Sequence, residues 1–203
     1  MDIHLLASAE NLSRLKDALA ELAAEVIAVP PFEEEFLERG HAVHFRCGDG
    51  LHLDVMARMR GVGPFEEAWE RRTLLTIDEG MEIPLLSLPD LVAAKKTQRD
   101  QDWPMIRRLV EANYAAFYDA PTPQRVRFWL DELRSPALLV EAVARFPDEA
   151  RAAAERREAV ACVLQGYEEE VQEELDEEMA RERAADRLYW APLRKELEEL
   201  RRR

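Results

Sequence analysis

Two short segments decide the fold of this chain, MDIHLL at residues 1–6 and LHLDVM at residues 51–56. Each segment places a carboxylate and an imidazole two residues apart. Because side chains alternate across a strand, Asp2 and His4 share one face of the first segment, and His52 and Asp54 share one face of the second. The apolar residues between them point to the opposite face. If the two strands pair, four metal-capable side chains converge.

A bound divalent metal is one explanation for this pattern, because carboxylates on a sheet are costly to bury without a cation among them. Asp2, His4 and Asp54 are then the predicted ligands, and Asp2 and Asp54 are also the predicted catalytic residues. His52 is a supporting residue on the same face as Asp54. The alternative is a half-exposed sheet whose polar residues are simply solvated. The spacing alone leaves both interpretations open.

The composition is that of a globular protein. The chain has 203 residues, of which 47% are hydrophobic, so intrinsic disorder is excluded as the default. No apolar run approaches the ~20 residues of a membrane span, and no basic and apolar leader is evident. The two cysteines match neither a zinc site nor a disulfide framework. We therefore expect a cytoplasmic protein that does not contact membranes.

The net charge of −14 argues against broad nucleic-acid binding, since the phosphate backbone would be repelled by most of the surface. A local basic site at residues 95–99 remains compatible with this charge. A second feature is acidic: residues 168–178 hold eight acids in eleven positions, with a narrow apolar stripe. That segment is either a solvated helix docked by one edge or a contact for a partner protein.

Periodicity predicts an α+β fold in which a small mixed sheet with flanking helices precedes an all-helical extension. The boundary is placed near residue 120, giving a unit of residues 1–120 and an extension of residues 121–203. Ser8 caps a first helix, and a hairpin turns at Gly48-Asp49-Gly50. The remaining expected elements are a short helix at 64–72, a strand pair at 73–77 and 81–86, helices from Ser87 separated mainly by prolines, and a last helix that begins near Pro192.

The helix that opens at Ser87 carries cations on its apolar face if it continues to residue 109. Lys95 and Arg99 must then be paired or must face a polar site, because an unpaired buried cation is prohibitively costly. Asp102 is interpreted either as the N-cap of a new helix before Pro104 or as a salt-bridge partner of Lys95 or Arg99. Carboxylate strands opposite such a helix are typical of a site for a metal-bound polyphosphate.

This order of elements resembles the nucleotidyltransferase superfamily, in particular small bacterial nucleotidyltransferase-like proteins that include toxin components of toxin–antitoxin and phage-abortive systems. The family pattern is an Asp-x-Asp strand, a helix, a strand with a third Asp, and a leucine-x-aspartate-leucine helix start followed by Lys and an Arg-x-x-Asp pair. The matching positions are Asp2-Ile3-His4, Leu12 to Leu22, Leu53-Asp54-Val55, Leu88-Pro89-Asp90-Leu91, Lys95 or Lys96, and Arg99 with Asp102.

The resemblance covers residues 1 to about 118 and implies that the chain binds an NTP with Mg²⁺ or Mn²⁺. Lys95 and Arg99 would contact phosphates, with Asp102 in support. Two departures are plain. The chain begins at the strand and lacks the family's upstream Gly-Ser or Gly-Gly turn, and His4 replaces an Asp, which weakens Mg²⁺ binding and favours softer ions.

Three functions are consistent with these residues. The first is a nucleotidyltransferase-like protein that transfers a nucleoside monophosphate to a protein or RNA hydroxyl. The second is a non-catalytic protein that retains a degenerate form of the fold and binds a partner through its acidic C-terminal helices. A metal-dependent hydrolase ranks third, because the cationic helix would then have no task.

Overall fold

The computed structural model describes residues 1–27, 32–77 and 80–202. The chain divides into two compact units. Unit 1 comprises residues 1–94 and 188–203, and unit 2 comprises residues 95–187. The boundary predicted near residue 120 falls inside unit 2. Ten α-helices and a small mixed sheet are present in the described residues, and the chain from Leu88 onward is helical, as predicted.

Unit 1 is built on a four-stranded sheet. Its strands are β1 (Asp2–His4), β2 (Glu25–Val26), β3 (Val43–Arg46) and β4 (His52–Met56), in the order β1-β4-β3-β2. Strand β1 runs parallel to β4, and the other neighbours are antiparallel. The sheet is therefore mixed, and β4 occupies an interior position with a neighbour on each side.

The turn between β3 and β4 fixes their register. Gly50 has a φ of +87°, the left-handed region in which glycine avoids the Cβ clash of other residues. The Leu51 amide donates to the Asp49 carboxylate at 2.9 Å, and the Cys47 amide donates to the Leu51 carbonyl at 2.8 Å. This turn aligns His44 with Asp54 across the two strands.

One face of the sheet carries the core of unit 1. Helix α1 (Ala9–Glu21) begins at Ser8, whose hydroxyl accepts the Asn11 amide, and helix α2 (Glu35–Arg39) follows. Both helices bury apolar side chains against alternate residues of the strands, which leaves the other face polar. The buried cluster is Leu12, Leu15, Leu19, Phe36, Leu37, Val43, Phe45, Cys47, Leu53 and Val55.

Three further elements complete the N-terminal part of unit 1. They are helix α3 (Phe65–Glu70), the hairpin of β5 (Thr73–Thr76) and β6 (Glu82–Leu85), and helix α4 (Leu88–Lys95). Gly61 has a φ of +80°, and a Cβ there would lie 2.9 Å from the Ala93 carbonyl, so α4 can approach this loop only at a glycine. The predicted turn residues Asp78 and Glu79 lie outside the described residues.

Unit 2 is helical. Its elements are α5 (Asp102–Phe117), α6 (Pro123–Glu132), α7 (Pro136–Arg145), α8 (Pro147–Ala154), α9 (Glu158–Gln165), a 3₁₀ turn (Glu168–Glu170) and the first part of α10 (Val171–Leu200). Helices α6, α7 and α8 each begin with a proline, which suits a position whose amide has no helical partner. The predicted proline breaks at 121–123, 135–136 and 146–147 thus coincide with helix starts.

Helix α10 corrects one expectation. The sequence predicts a separate last helix near Pro192, whereas α10 continues through Pro192 to Leu200. Its C-terminal residues belong to unit 1, where Leu200 packs against the buried cluster and Glu196 Oε2 lies 3.0 Å from His41 Nε2. The hydrogen bonds from His41 and Arg39 lower the pKa of Glu196. The C-terminal end of α10 therefore packs on unit 1 through Leu200 and Glu196.

The acidic segment of residues 168–178 packs by one edge. Val171 and Leu175 are buried, while the acids around them are mostly exposed. This placement matches the interpretation of a solvated helix, and a partner-protein contact there stays a prediction. Within the described residues, no helix combines the length and apolar character needed to cross a bilayer.

Candidate functional site

The polar face of the sheet in unit 1 is the candidate site. Asp2 lies directly opposite Asp54 in the parallel pair of β1 and β4, and His44 lies opposite Asp54 in the antiparallel pair of β3 and β4. Paired residues project to the same side of a sheet, with strands about 4.8 Å apart. Three functional side chains from three strands therefore share one neighbourhood, which we call the Asp2–Asp54–His44 face.

A hydrogen bond joins two of these residues. His44 Nδ1 lies 2.7 Å from Asp54 Oδ1, and the two side chains are 44% and 36% exposed. An ionised carboxylate can only accept, so Nδ1 is the protonated nitrogen of His44. The bond holds one oxygen of Asp54 and leaves the second carboxylate oxygen for another partner.

His52 does not take the supporting role predicted for it. It is exposed and lies opposite Arg46 at the start of β4. Its backbone carbonyl accepts the Met1 ammonium at 2.7 Å. Of the two histidines beside Asp54, the structure places His44 in contact with the carboxylate. The hairpin register was the signal for this contact, because His44 lies four residues before Gly48 and Asp54 lies four residues after Gly50 in the Gly-Asp-Gly turn.

His4 shares the polar face but is held elsewhere. Its Nε2 lies 3.3 Å from the Ala57 carbonyl, and its ring packs edge-on against Phe65 at 5.1 Å between centroids. Burial lowers the pKa of His4, and the Ala57 carbonyl and the Asp90 carboxylate oppose this lowering only in part. Since a carbonyl only accepts, Nε2 donates this bond, and Nδ1 is the ring nitrogen with a free lone pair.

Asp90 of the predicted leucine-x-aspartate-leucine start has a structural role. Arg71 donates to both of its carboxylate oxygens, at 3.1 and 2.9 Å, and the Ser87 hydroxyl donates at 2.6 Å. The Asp90 amide donates back to Ser87 Oγ, as in a capping box at a helix start. Burial raises the pKa of Asp90, but the bonds from Arg71 and Ser87 outweigh it, so the pKa is lowered. No local sequence pattern indicated Arg71 as the partner of Asp90.

The cationic helix is interrupted. Helix α4 ends at Lys95 and α5 begins at Asp102, so the condition for one cationic helix face, a helix that continues from Ser87 to residue 109, is not met. Lys95 is half-buried at the end of α4, and Arg99 is exposed in the connecting segment. Both belong to unit 2, whereas Asp2 and Asp54 belong to unit 1. Their phosphate-binding role therefore depends on the resemblance alone.

Asp102 fits neither of its two predicted roles. Gln101 occupies the N-cap position, and Asp102 is the first residue of α5. Its buried carboxylate accepts the Thr97 hydroxyl, and the Trp103 indole donates to the Thr97 carbonyl at 2.9 Å. Asp102 thus fixes the segment before α5.

The residues on the polar face of the sheet suit a metal site that waters and substrate phosphates complete, but they do not form a metal site made of protein ligands alone. In the part of the chain that is described, no group of three or more His, Cys, Asp and Glu residues is placed to hold a metal ion. The predicted set of Asp2, His4 and Asp54 is therefore not an all-protein metal site. A pair of carboxylates does suit Mg²⁺, which is usually bound by one or two carboxylates together with waters and substrate phosphates.

Unit 2 contains a second concentration of charge, which we call the ionic cluster: Lys96, Glu132, Arg134, Arg157 and Glu178. Arg157 donates to Glu178 at 3.0 Å and to the Leu130 and Leu133 carbonyls at 2.8 and 2.7 Å. Lys96 donates to Glu132 at 2.7 Å, and Arg134 donates to Glu178 at 2.9 Å.

A cavity of about 410 Å³ beside the ionic cluster is lined by charged residues alone. Ligand cavities are mostly apolar with a few polar groups, so this lining is unlike a ligand site. Burial raises the pKa of Glu178, but Arg157 and Arg134 outweigh it, and the pKa is lowered. Through Arg157 the cluster links the C-terminal end of α6 to α10, and this link is its structural role, although Arg134 Nε, Arg134 Nη1 and Glu132 Oε2 are buried there without a hydrogen-bond partner. The residues that line the cavity are Lys96, Asp131, Glu132, Arg156, Arg157, Glu158, Glu178, Arg181 and Glu182.

No protein-family model, curated protein or solved structure matches this chain. Function is therefore inferred from the geometry of the Asp2–Asp54–His44 face and from the order of elements in the sequence.

Proposed function

We propose that this chain is a nucleotidyltransferase-like protein that binds a divalent metal and a nucleoside triphosphate on the Asp2–Asp54–His44 face. The observation that carries the proposal is the register of β1 on β4, which sets two carboxylates side by side on a solvent-accessible sheet face. The reaction that fits is transfer of a nucleoside monophosphate to a protein or RNA hydroxyl. The ion is Mg²⁺ or Mn²⁺.

Each residue of the face has a defined task in this proposal. Asp2 and Asp54 hold the cation, and His44 orients Asp54 through the 2.7 Å hydrogen bond to Oδ1. When bound, the metal neutralises charge on the phosphate oxygens. His4 is not among the ligands, because no group of three such side chains in the described residues is placed to hold a metal ion. Lys95 and Arg99 are proposed phosphate contacts on the resemblance alone.

The charge of the chain supports a metal requirement. A net charge of −14 repels a free triphosphate, and two adjacent carboxylates repel it further. A divalent cation between the carboxylates and the phosphates reverses this local repulsion. Binding of the nucleotide is therefore expected only with the metal present.

A thermal-unfolding titration tests the proposal. The wild-type chain, Asp54→Asn and Asp17→Asn are each heated with ATP, GTP, CTP or UTP, with and without Mg²⁺ or Mn²⁺. Asp17 is exposed on α1, which packs on the apolar face of the sheet, so its variant removes the same charge away from the site. A ligand at ~100 times its dissociation constant adds ~2.7 kcal/mol of stability.

The proposal predicts a shift that requires both metal and nucleotide, survives in Asp17→Asn and is lost in Asp54→Asn. A shift with metal alone would contradict nucleotide binding and favour a metal-dependent hydrolase. No shift in any condition would contradict both, and would favour the non-catalytic, partner-binding alternative.

A further inference from the structure

Rows of paired residues cross the polar face of the sheet, and the row with the two carboxylates has a partly covered side and an open side. On the covered side, the next residue of β1 on this face is His4, whose ring packs against Phe65 at 5.1 Å between centroids. On the open side, the register pairs His52 with Arg46, and both residues are exposed. A ligand held by the carboxylates therefore meets solvent in the direction of the turn between β3 and β4.

Arg46 places a cation beside the carboxylates on this open side. It lies two residues along β3 from His44, so both side chains project from the same face. Arg46 and Asp54 are then diagonal neighbours on adjacent strands, a separation of about 7–8 Å that a long side chain can span. Within residues 1–27, 32–77 and 80–202, the Arg46 side chain has no hydrogen bond and no ion pair. Its guanidinium donors are therefore available to a ligand.

Glu25 is an anionic neighbour of Arg46. The antiparallel register of β2 on β3 sets Glu25 opposite Arg46, and both residues are exposed. The Glu25 carboxylate therefore lowers the positive potential around Arg46, although the two side chains form no ion pair in the described part of the chain. Removal of the Arg46 charge should weaken the binding of an anion here, whereas removal of the Glu25 charge should strengthen it.

The chemistry of arginine indicates which anion fits. A guanidinium group presents N–H donors in a rigid planar fork that binds two phosphate oxygens at once. Arg46 also belongs to unit 1, as do Asp2 and Asp54, whereas Lys95 and Arg99 belong to unit 2. A phosphate contact from Arg46 therefore needs only the register of one sheet.

We propose that Arg46 binds phosphate oxygens of the triphosphate, which extends from the Asp2–Asp54 pair toward the turn between β3 and β4. This inference rests on the proposed function. The metal on the two carboxylates and the guanidinium of Arg46 then hold one polyphosphate from two sides. Because neither group contacts the base, the ligand class that this site recognises is a metal-bound polyphosphate.

Isothermal titration calorimetry with Mg²⁺ and ATP, and with inorganic tripolyphosphate as a competitor of ATP, tests the proposal. Arg46→Gln is expected to weaken both ligands at least about tenfold, and Arg46→Lys by less, because lysine keeps the charge without the fork. Glu25→Gln is expected to tighten both about twofold, since exposed charges are partly screened.

Arg14→Gln is the matched control. Arg14 is 71% exposed on α1, which packs on the apolar face of the sheet, so this variant removes the same charge away from the site. It should leave the binding of both ligands within about twofold of wild type. Far-UV circular dichroism confirms the folding of each variant.

Four outcomes would overturn the assignment of Arg46. Binding that needs Asp54 but is unchanged in Arg46→Gln would contradict this inference alone and leave the proposed function intact. A loss confined to ATP would mean that Arg46 contacts the base or ribose, and equal weakening by Arg14→Gln would mean that only net charge matters. Absence of binding of either ligand to wild type would contradict the proposed function as well.

Discussion

The Asp2–Asp54–His44 face and the ionic cluster both consist of ionisable side chains, but those of the sheet face are partly exposed and those of the cluster are mostly buried. Arg157 and Glu178 of the cluster are 6% and 19% exposed, whereas His44 and Asp54 of the sheet face are 44% and 36% exposed. Arg157 uses all three guanidinium nitrogens on protein acceptors. Asp54 uses one carboxylate oxygen on one imidazole.

The difference teaches that charged residue types do not by themselves indicate a site. A buried charge must be paired inside the protein, because desolvation is costly, and Arg157 accordingly donates every one of its guanidinium nitrogens to protein acceptors. A half-exposed pair of carboxylates has oxygen atoms that bond to water, and a cation can bind these oxygens in place of the water. The sheet face is therefore the better candidate, although the cluster contains more charges.

The largest expected effect is on stability in the ionic cluster. Arg157→Ala removes one of the two arginine donors of buried Glu178 and the donor of two carbonyls near the end of α6, so unfolding should become easier by about 3–5 kcal/mol. Arg156→Ala is the matched control, because Arg156 is adjacent but 44% exposed and pairs with Asp131. Its cost should be about 0–1 kcal/mol. Urea unfolding measures both, and equal costs would contradict the structural role of the cluster.

A smaller effect concerns acid stability. The pKa of Glu178 is lower in the folded chain than its ordinary value, because Arg157 and Arg134 outweigh burial. The unfolded chain then binds more protons, so the stability from this group is complete above the ordinary glutamate pKa of about 4.3 and is lost as the pH falls below it. The free energy of unfolding should therefore fall less steeply with acid in Glu178→Gln than in wild type. An unchanged slope would show that Glu178 does not contribute.

The smallest effect is expected at the sheet face without ligand. Asp54→Asn removes a half-exposed pair with His44, so it should change the free energy of unfolding by no more than about 1 kcal/mol. Metal-free urea unfolding of this variant measures the change. A loss as large as that of Arg157→Ala would mean that Asp54 is a structural residue, and would remove the contrast between the two regions.

Much of the fold of unit 1 could be predicted from local signals. The alternation in residues 1–6 and 51–56, the Gly-Asp-Gly turn and the Ser8 cap each have a local cause, and the corresponding elements are present. The end of α4 at Lys95 and the continuation of α10 through Pro192 could not be predicted, because a continuous apolar pattern hides a break and a proline does not always end a helix.

The candidate site could be predicted only where its residues are placed by local sequence patterns. Asp2 and Asp54 share a face because strand alternation is strict. The bond between His44 and Asp54 follows from hairpin register, but His4 is held by Ala57 and Phe65, which are distant in sequence. The bond from Arg71 to Asp90 likewise joins α4 to the end of a helix nineteen residues earlier. Such tertiary contacts leave no local pattern.

The most direct test of the central claim is paramagnetic broadening by Mn²⁺ in the presence of a non-hydrolysable nucleoside triphosphate. The NMR signals of the His44 ring report on the sheet face, and those of Tyr167, which is 51% exposed beside the acidic residues 168–178, serve as a control at a region of high negative charge. The account predicts that nucleotide-dependent broadening is strongest at His44 and is abolished in Asp54→Asn. Broadening strongest at Tyr167, or unchanged at His44 in Asp54→Asn, would contradict it.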